Sequence, residues 1–273
     1  MCERRTSRSG PGTHLVLVLV VDLDPALAAL RPLGAFFVLH TAPDPAEATG
    51  GPGPGRLPTL AETYERVTRE VHGDALTARV NTVADRLATP EPRVAASLAH
   101  QALAARLWSA ALGCAVLYGR LPDLDPRLLR WDPLAAAPDD LYLTGLRERP
   151  GDTASLAAAV LHGHLEPLGE ALRARYGTAP GLLWGNAGSA LAGAARELDR
   201  WARAHGRTDA AARARALTDE LFAHPLLRAT GTRTGTAFRR RSCCLYYRVP
   251  GGGVCGDCCF PRPPRSSPRA ASG

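Results

Sequence analysis

No lysine occurs among the 273 residues, so all 33 basic side chains are arginine. That reads as GC-biased codon usage before it reads as affinity for nucleic acid. Phe, Trp and Tyr together make only 5% of the chain, and the interleaved aromatic and basic residues of RNA-binding modules are missing, as is the histidine spacing of zinc fingers. No nucleic-acid partner is therefore expected. Long apolar runs are also lacking. The longest near the start, Leu15 to Val21, has seven residues and is ended by Asp22 and Asp24, where crossing a bilayer takes about 20. No integral membrane span is expected. Arg4-Arg5, this short run and the small residues at 26–28 imitate an export signal, but the run is at the short limit for one. A buried strand or an over-long start fits it better. No repeat of fixed period is visible.

The formal charge is +7, and it is unevenly placed. Residues 231–273 hold eight arginines against one acid, Asp257, whereas the stretch 22–230 is nearly neutral. A basic C-terminal segment suits an acidic partner. The 42–58 stretch, dense in proline and glycine, can hold no regular element. A helical body then opens at Thr59, whose hydroxyl can cap a helix while Glu62 reaches back to it. Leu60, Tyr64, Val67 and Val71 share a face, and Gly73 ends that helix. Further helices are expected over 75–87, 92–113, 154–176 with a break at Pro167, from Thr178 to 204, and over 209–222. Strands are expected only at 15–21, 35–40, 141–144 and 245–249. The fold class is thus mainly α, a helical body with a few short strands and an irregular, cysteine-rich iron-sulfur segment at the C-terminus. The division expected is an N-terminal segment and loop over 1–58, the body over 59–237, the cysteine segment over 238–260 and a disordered tail over 261–273.

Five of the seven cysteines lie between 243 and 259. Their spacing is an adjacent pair, Cys243-Cys244, ten residues, then Cys255-x-x-Cys258 followed by Cys259. A Cys-x-x-Cys turn points two sulfurs at one metal centre, and the stretch Tyr246 to Val249 followed by Pro250 and three glycines can fold back as a hairpin that brings up the first pair. Adjacent cysteines diverge along an extended backbone, which suits ligands spread over an iron-sulfur cluster better than the single tetrahedral ion of a zinc site. Structural zinc, disulfides and a thiol redox motif remain as alternatives at this level. Of the other candidates, His162, His164 and Glu166 alternate along a helix and face different ways. Trp184 suits the core or a stacking role. Cys114, in an apolar helix, reads as a small buried hydrophobe.

The segment Phe238-Arg-Arg-Arg-Ser-Cys-Cys-Leu-Tyr-Tyr-Arg, with Gly-Gly-Gly-Val-Cys-Gly-Asp-Cys after it, resembles the C-terminal signature of the ferric siderophore reductases, the FhuF-like proteins. Leu183-Trp184-Gly185-Asn186-Ala187 resembles a second block of that family and His224-Pro225-Leu226-Leu227 a third, so the likeness runs loosely over 60–260. It implies a cytoplasmic oxidoreductase with a 2Fe-2S cluster on Cys243, Cys244, Cys255 and Cys258. That enzyme would pass one electron from an unidentified donor to a ferric siderophore, of hydroxamate type, and release Fe(II). Cys259 is a thiol the family pattern does not need. Arg239, Arg240, Arg241 and Arg248 would raise the potential of a centre that gains negative charge on reduction, unless they are simply solvated. The competing functions are a helical binding module with structural zinc and an iron-sulfur sensor, although no DNA-reading helix pair stands out.

Overall fold

The computed structural model describes residues 27–41, 57–65, 74–135 and 141–264. The expected strand at 15–21, residues 66–73, Cys2 and most of the expected tail lie outside them, and the first expected helix ends at Tyr64, where Glu65 turns extended, short of the stop expected at Gly73. The architecture is mainly α. Helices are α1 (Leu60–Tyr64), α2 (Ala75–Arg86), α3 (Pro92–Tyr118), α4 (153–176, in the stretches Thr153–Leu156, Ala157–Leu165 and Glu166–Tyr176), α5 (Pro180–Ala204) and α6 (Thr208–Ala223). The Thr59–Glu62 capping box forms, with the Glu62 amide donating to Thr59 Oγ1 at 3.1 Å and the Thr59 amide donating to Glu62 Oε2 at 2.7 Å.

Helix α3 runs past its expected end at 113 to Gly119, which closes it in the left-handed conformation. It is apolar on nearly every side, as a central helix must be, and buries Trp108, Leu107 and Leu112. Helices α2 and α5 pack on it, and α6 packs on α5. The break expected at Pro167 is instead a change of winding. Ala157–Leu165 is a π-helical stretch, and the Glu166 amide reaches back five residues to the Leu161 carbonyl. Proline lacks an N–H and its ring crowds the carbonyl four residues back, so the wider turn just before Pro167 lets α4 pass through without a break.

The strands are short. β1 (His40–Thr41), β4 (Leu141–Leu143) and β3 (Leu129–Trp131) make one sheet in that order, with β1 parallel and β3 antiparallel to β4. β2 (Arg120–Pro122) pairs antiparallel with β5 (Glu148–Pro150). β6 (Gly231–Thr234) and β7 (Ala237–Arg240) form a hairpin that leads directly into the cysteines. Two sequence expectations are corrected here. Of the stretch 35–40, Ala35–Phe37 is a 3-10 turn and only His40 lies in a strand, and Tyr246–Arg248 is a 3-10 turn rather than a strand. Leu245 adopts φ +69 and Gly251 φ +71, and left-handed residues on both sides break an extended run.

Candidate functional site

The cysteine segment rests on the middle of α5, which is paved there with small residues. A Cβ on Gly185 would collide with Ser242 Oγ, and one on Gly188 with Thr230. These two glycines let the β6–β7 hairpin and the start of the cysteine run come close to the helix. Ser242 Oγ then donates to the Gly181 carbonyl at 2.7 Å. On the other side Ser97 of α3 donates to the Cys244 carbonyl at 2.8 Å, and Asn186 Nδ2 donates to the Ser97 carbonyl, also at 2.8 Å. Asn186 thus ties α5 to the α3 serine that holds the cysteine backbone.

Arg240 is the charge at the centre of this arrangement. It is 3% exposed, because β7 alternates and turns Phe238 and Arg240 inward while Arg239 faces out. Its Nη1 donates to Gln101 Oε1 at 3.0 Å and its Nη2 to Asn186 Oδ1. Its Nε is buried without a hydrogen-bond partner among the described residues. The Arg240 amide donates to the Asp257 carbonyl at 2.9 Å, which docks the Cys-x-x-Cys turn against β7. The Asp257 carboxylate is held in turn by Ser189 Oγ at 2.6 Å and Arg196 at 3.0 Å.

All four predicted cysteines and Cys259 gather here as free thiols. Interaction with the Cys255 thiol holds the Cys244 thiol down to about 7, and Cys255 is itself raised, first by that same interaction and then by burial. Cys243 senses Cys258 and Cys259, and burial raises it. Backbone amides point at two sulfurs, Leu245 N–H at Cys243 Sγ (3.2 Å) and Phe260 N–H at Cys258 Sγ (3.4 Å). The Cys258 amide donates to the Cys255 carbonyl at 3.1 Å, the expected tight turn. Among the described residues no three His, Cys, Asp or Glu side chains converge on a single ion position. Soft thiols in two neighbouring groups, with amides aimed at the sulfurs and an orphaned buried guanidinium N–H beside them, fit a dinuclear thiolate cluster rather than one tetrahedral ion.

The remaining candidates fall into place around this centre. Arg239 and Arg241 are exposed, Arg239 donating to the Cys259 carbonyl at 3.1 Å, and Arg248 is paired with Glu91 at 2.9 Å. His162 bonds Glu166 at 2.6 Å, whereas His164 is buried between Tyr64 Oη at 2.8 Å and the Leu124 carbonyl at 2.6 Å. They share no site. Cys114 is buried in α3, its thiol pushed up to about 12 by burial. Trp184 lines a small cavity of 150 Å³ with His100 and is not against the cysteines. Sequence reasoning missed Ser97, Gln101 and Ser189, since a lone polar residue in an Ala- and Leu-rich helix carries no signal. Asp257 could have been found, as the one acid in a strongly basic stretch.

Residues 120–236 match the family described as ferric iron reductase FhuF-like transporter, and residues 240–260 match the FhuF 2Fe-2S C-terminal domain. The second match covers Cys243 to Cys259 and identifies the cofactor as a 2Fe-2S cluster. No curated protein matches the chain. Among the described residues no helix is long and apolar enough to cross a membrane.

Proposed function

We propose, because the chain belongs to the FhuF-like ferric iron reductase family, that it reduces ferric siderophores of hydroxamate type in the cytoplasm and so releases Fe(II). The observation that carries this reading is the gathering of five thiols within the segment that matches the family's 2Fe-2S domain. Cys243, Cys244, Cys255 and Cys258 are the proposed ligands, and Cys259 is a neighbour that does not ligate. The helical body over 59–237 acts as the platform and 238–260 as the cluster segment.

When bound, the cluster supplies one electron at a time. The chain would hold it on thiolates, and the buried Arg240 with the amides of Leu245 and Phe260 would stabilise negative charge there. A siderophore grips Fe(III) with hard oxygen donors, and the lower charge of Fe(II) weakens that grip, so the reaction needs no acid, base or nucleophile from the protein. Each turnover then needs a one-electron donor of low enough potential to restore the centre.

Protein reduced under anaerobic conditions and freed of excess dithionite should be reoxidised by a ferric hydroxamate siderophore, with Fe(II) appearing in step in a ferrous chelator. Single Cys→Ser changes at 243, 244, 255 and 258 should remove or strongly alter the visible spectrum, while Cys259→Ser keeps it. A reduced protein that ignores several chemically distinct ferric siderophores, yet reacts with small oxidants, would overturn the reductase reading.

A further inference from the structure

A cavity of 590 Å³ opens between α3, α5 and the Leu33–Phe37 turn, and two of the five clustered cysteines, Cys244 and Cys255, are in its wall. Cys243, Cys258 and Cys259 are not. We propose that this cavity binds the ferric chelate and that the electron leaves through its Cys244 and Cys255 side, an inference that rests on the reductase reading above. One electron passes from the reduced centre to Fe(III), giving Fe(II). No bond to the protein forms or breaks, and a one-electron carrier restores the centre.

Its position and lining single this cavity out, and its size suits a small-molecule site. Its volume lies inside the range of about 300–1,000 Å³ typical of small-molecule sites. The cavity beside Trp184 has 150 Å³, and a third, of 630 Å³, is bordered by Asp199, Arg215 and Arg233 with no cysteine in its wall. Electron transfer to a bound chelate needs a short path, and only the cavity walled by cysteines provides one among these three.

The rim is built to hold something that is neither small nor strongly charged. Phe36 is 42% exposed and Tyr246 37% exposed, an unusual state for aromatic rings that line a concavity. The turn bearing Phe36 is fixed, since Arg106 Nη1 donates to the carbonyls of Ala35 at 2.9 Å and Phe36 at 3.1 Å. The four charged residues in the wall balance, Arg196 and Arg240 against Glu197 and Asp257, and each already has a partner: Arg196 is paired with Asp257, Glu197 with Arg200, and Arg240 is bonded to Gln101 and Asn186. A polyanionic ferric complex would meet there one cation without a carboxylate partner, the buried Arg240, against several negative charges of its own, and would lose its hydration on entry. A compact chelate of zero net charge, with an apolar outer face, would be accepted.

The test fills the cavity from opposite walls of the full holoprotein. A Cβ on Gly193 of α5 meets nothing closer than Arg196 at 3.9 Å, so Gly193→Trp projects a ring inward, and Ala105→Trp does so from α3. Reoxidation by a ferric trihydroxamate should slow about tenfold or more in each, and calorimetry with the redox-inert gallium(III) trihydroxamate should show a Kd weakened by about the same factor. The visible spectrum and a continuing reaction with ferricyanide report that the centre is intact. Independently of any variant, the gallium chelate should shift the amide resonances of Phe36, Ala105 and Gly193 in the wild-type protein.

Variants that bind and react as wild type does, or shifts confined to the neighbourhood of Trp184, would overturn the cavity while leaving the reductase reading intact. Tighter binding of a trianionic gallium tricatecholate would overturn the charge argument. A wild-type protein that no ferric chelate reoxidises removes the reading on which the inference rests.

Discussion

Arg240 and Arg241 are adjacent in the chain and differ in almost everything that decides what a charge does. Arg240 is 3% exposed and shares a cavity wall with Cys244 and Cys255, whereas Arg241 is exposed. Coulomb interactions are several-fold stronger where water is excluded and are screened at the surface. Arg240→Gln should therefore lower the midpoint potential by about 60 mV or more, a tenfold change in a one-electron equilibrium. Arg241→Gln should move it by a small fraction of that. An optical redox titration decides, and equal shifts in the two variants would show that burial is irrelevant to the tuning. In the sequence, Arg239, Arg240, Arg241 and Arg248 read alike, because an arginine gives no sign of facing inward until the strand register of β7 is known. The cysteines themselves were legible, since their spacing is a chemical constraint rather than a packing one.

At the scale of elements, Gly185 is where α5 and the cysteine run meet. A methyl group there must displace Ser242, one residue before Cys243. Gly185→Ala should destabilise the protein by about 1–3 kcal/mol, the usual cost of overpacking a tight contact, and should speed loss of the cluster. Thermal unfolding and the rate of bleaching in chelator measure the two effects. Gly193→Ala on the same helix should be neutral or slightly stabilising, as its Cβ has room and alanine favours helix. Equal destabilisation by both would indicate a helix effect and not a contact. Helix starts and stops were largely readable, from the Thr59 capping box to Gly177 after α4, because caps are local chemistry, although the stop of α3 at Gly119 was missed. Strands of two to four residues were not, β4 apart, since β2, β3 and β5 to β7 exist through partners remote or unmarked in sequence. Tyr246 to Val249 has the composition of a strand, yet Leu245 and Gly251 set the backbone otherwise. Pro167 was seen, but not the π turn that accommodates it.

For the molecule as a whole, stability in acid follows from two imidazoles held neutral in the core. Burial depresses His164 to about 4, and burial, with Arg240 second, depresses His100 to about 3. The Nε2–H of His164 donates to the Leu124 carbonyl, so its Nδ1 accepts from Tyr64 Oη and has no place for a proton. The unfolded chain binds a proton at each site near pH 6.5 while the folded chain does not. Their contribution is therefore intact above that pH and is lost as pH falls toward the folded values. Each site should cost about 1.4 kcal/mol for every pH unit within its window. Denaturant midpoints at pH 7, 5.5 and 4.5 should fall more steeply for wild type than for His164→Gln, and parallel profiles would mean that His164 is not held neutral. The two-sided exposure of the clustered thiols bears on kinetic order. Cys244 and Cys255 border the cavity, while Cys243, Cys258 and Cys259 are partly exposed outside its wall. A reductant arriving at the second set does not compete for space with a chelate seated at the first. Both can be bound together, so excess chelate should not inhibit, and a redox-inert gallium chelate should not compete with the reductant.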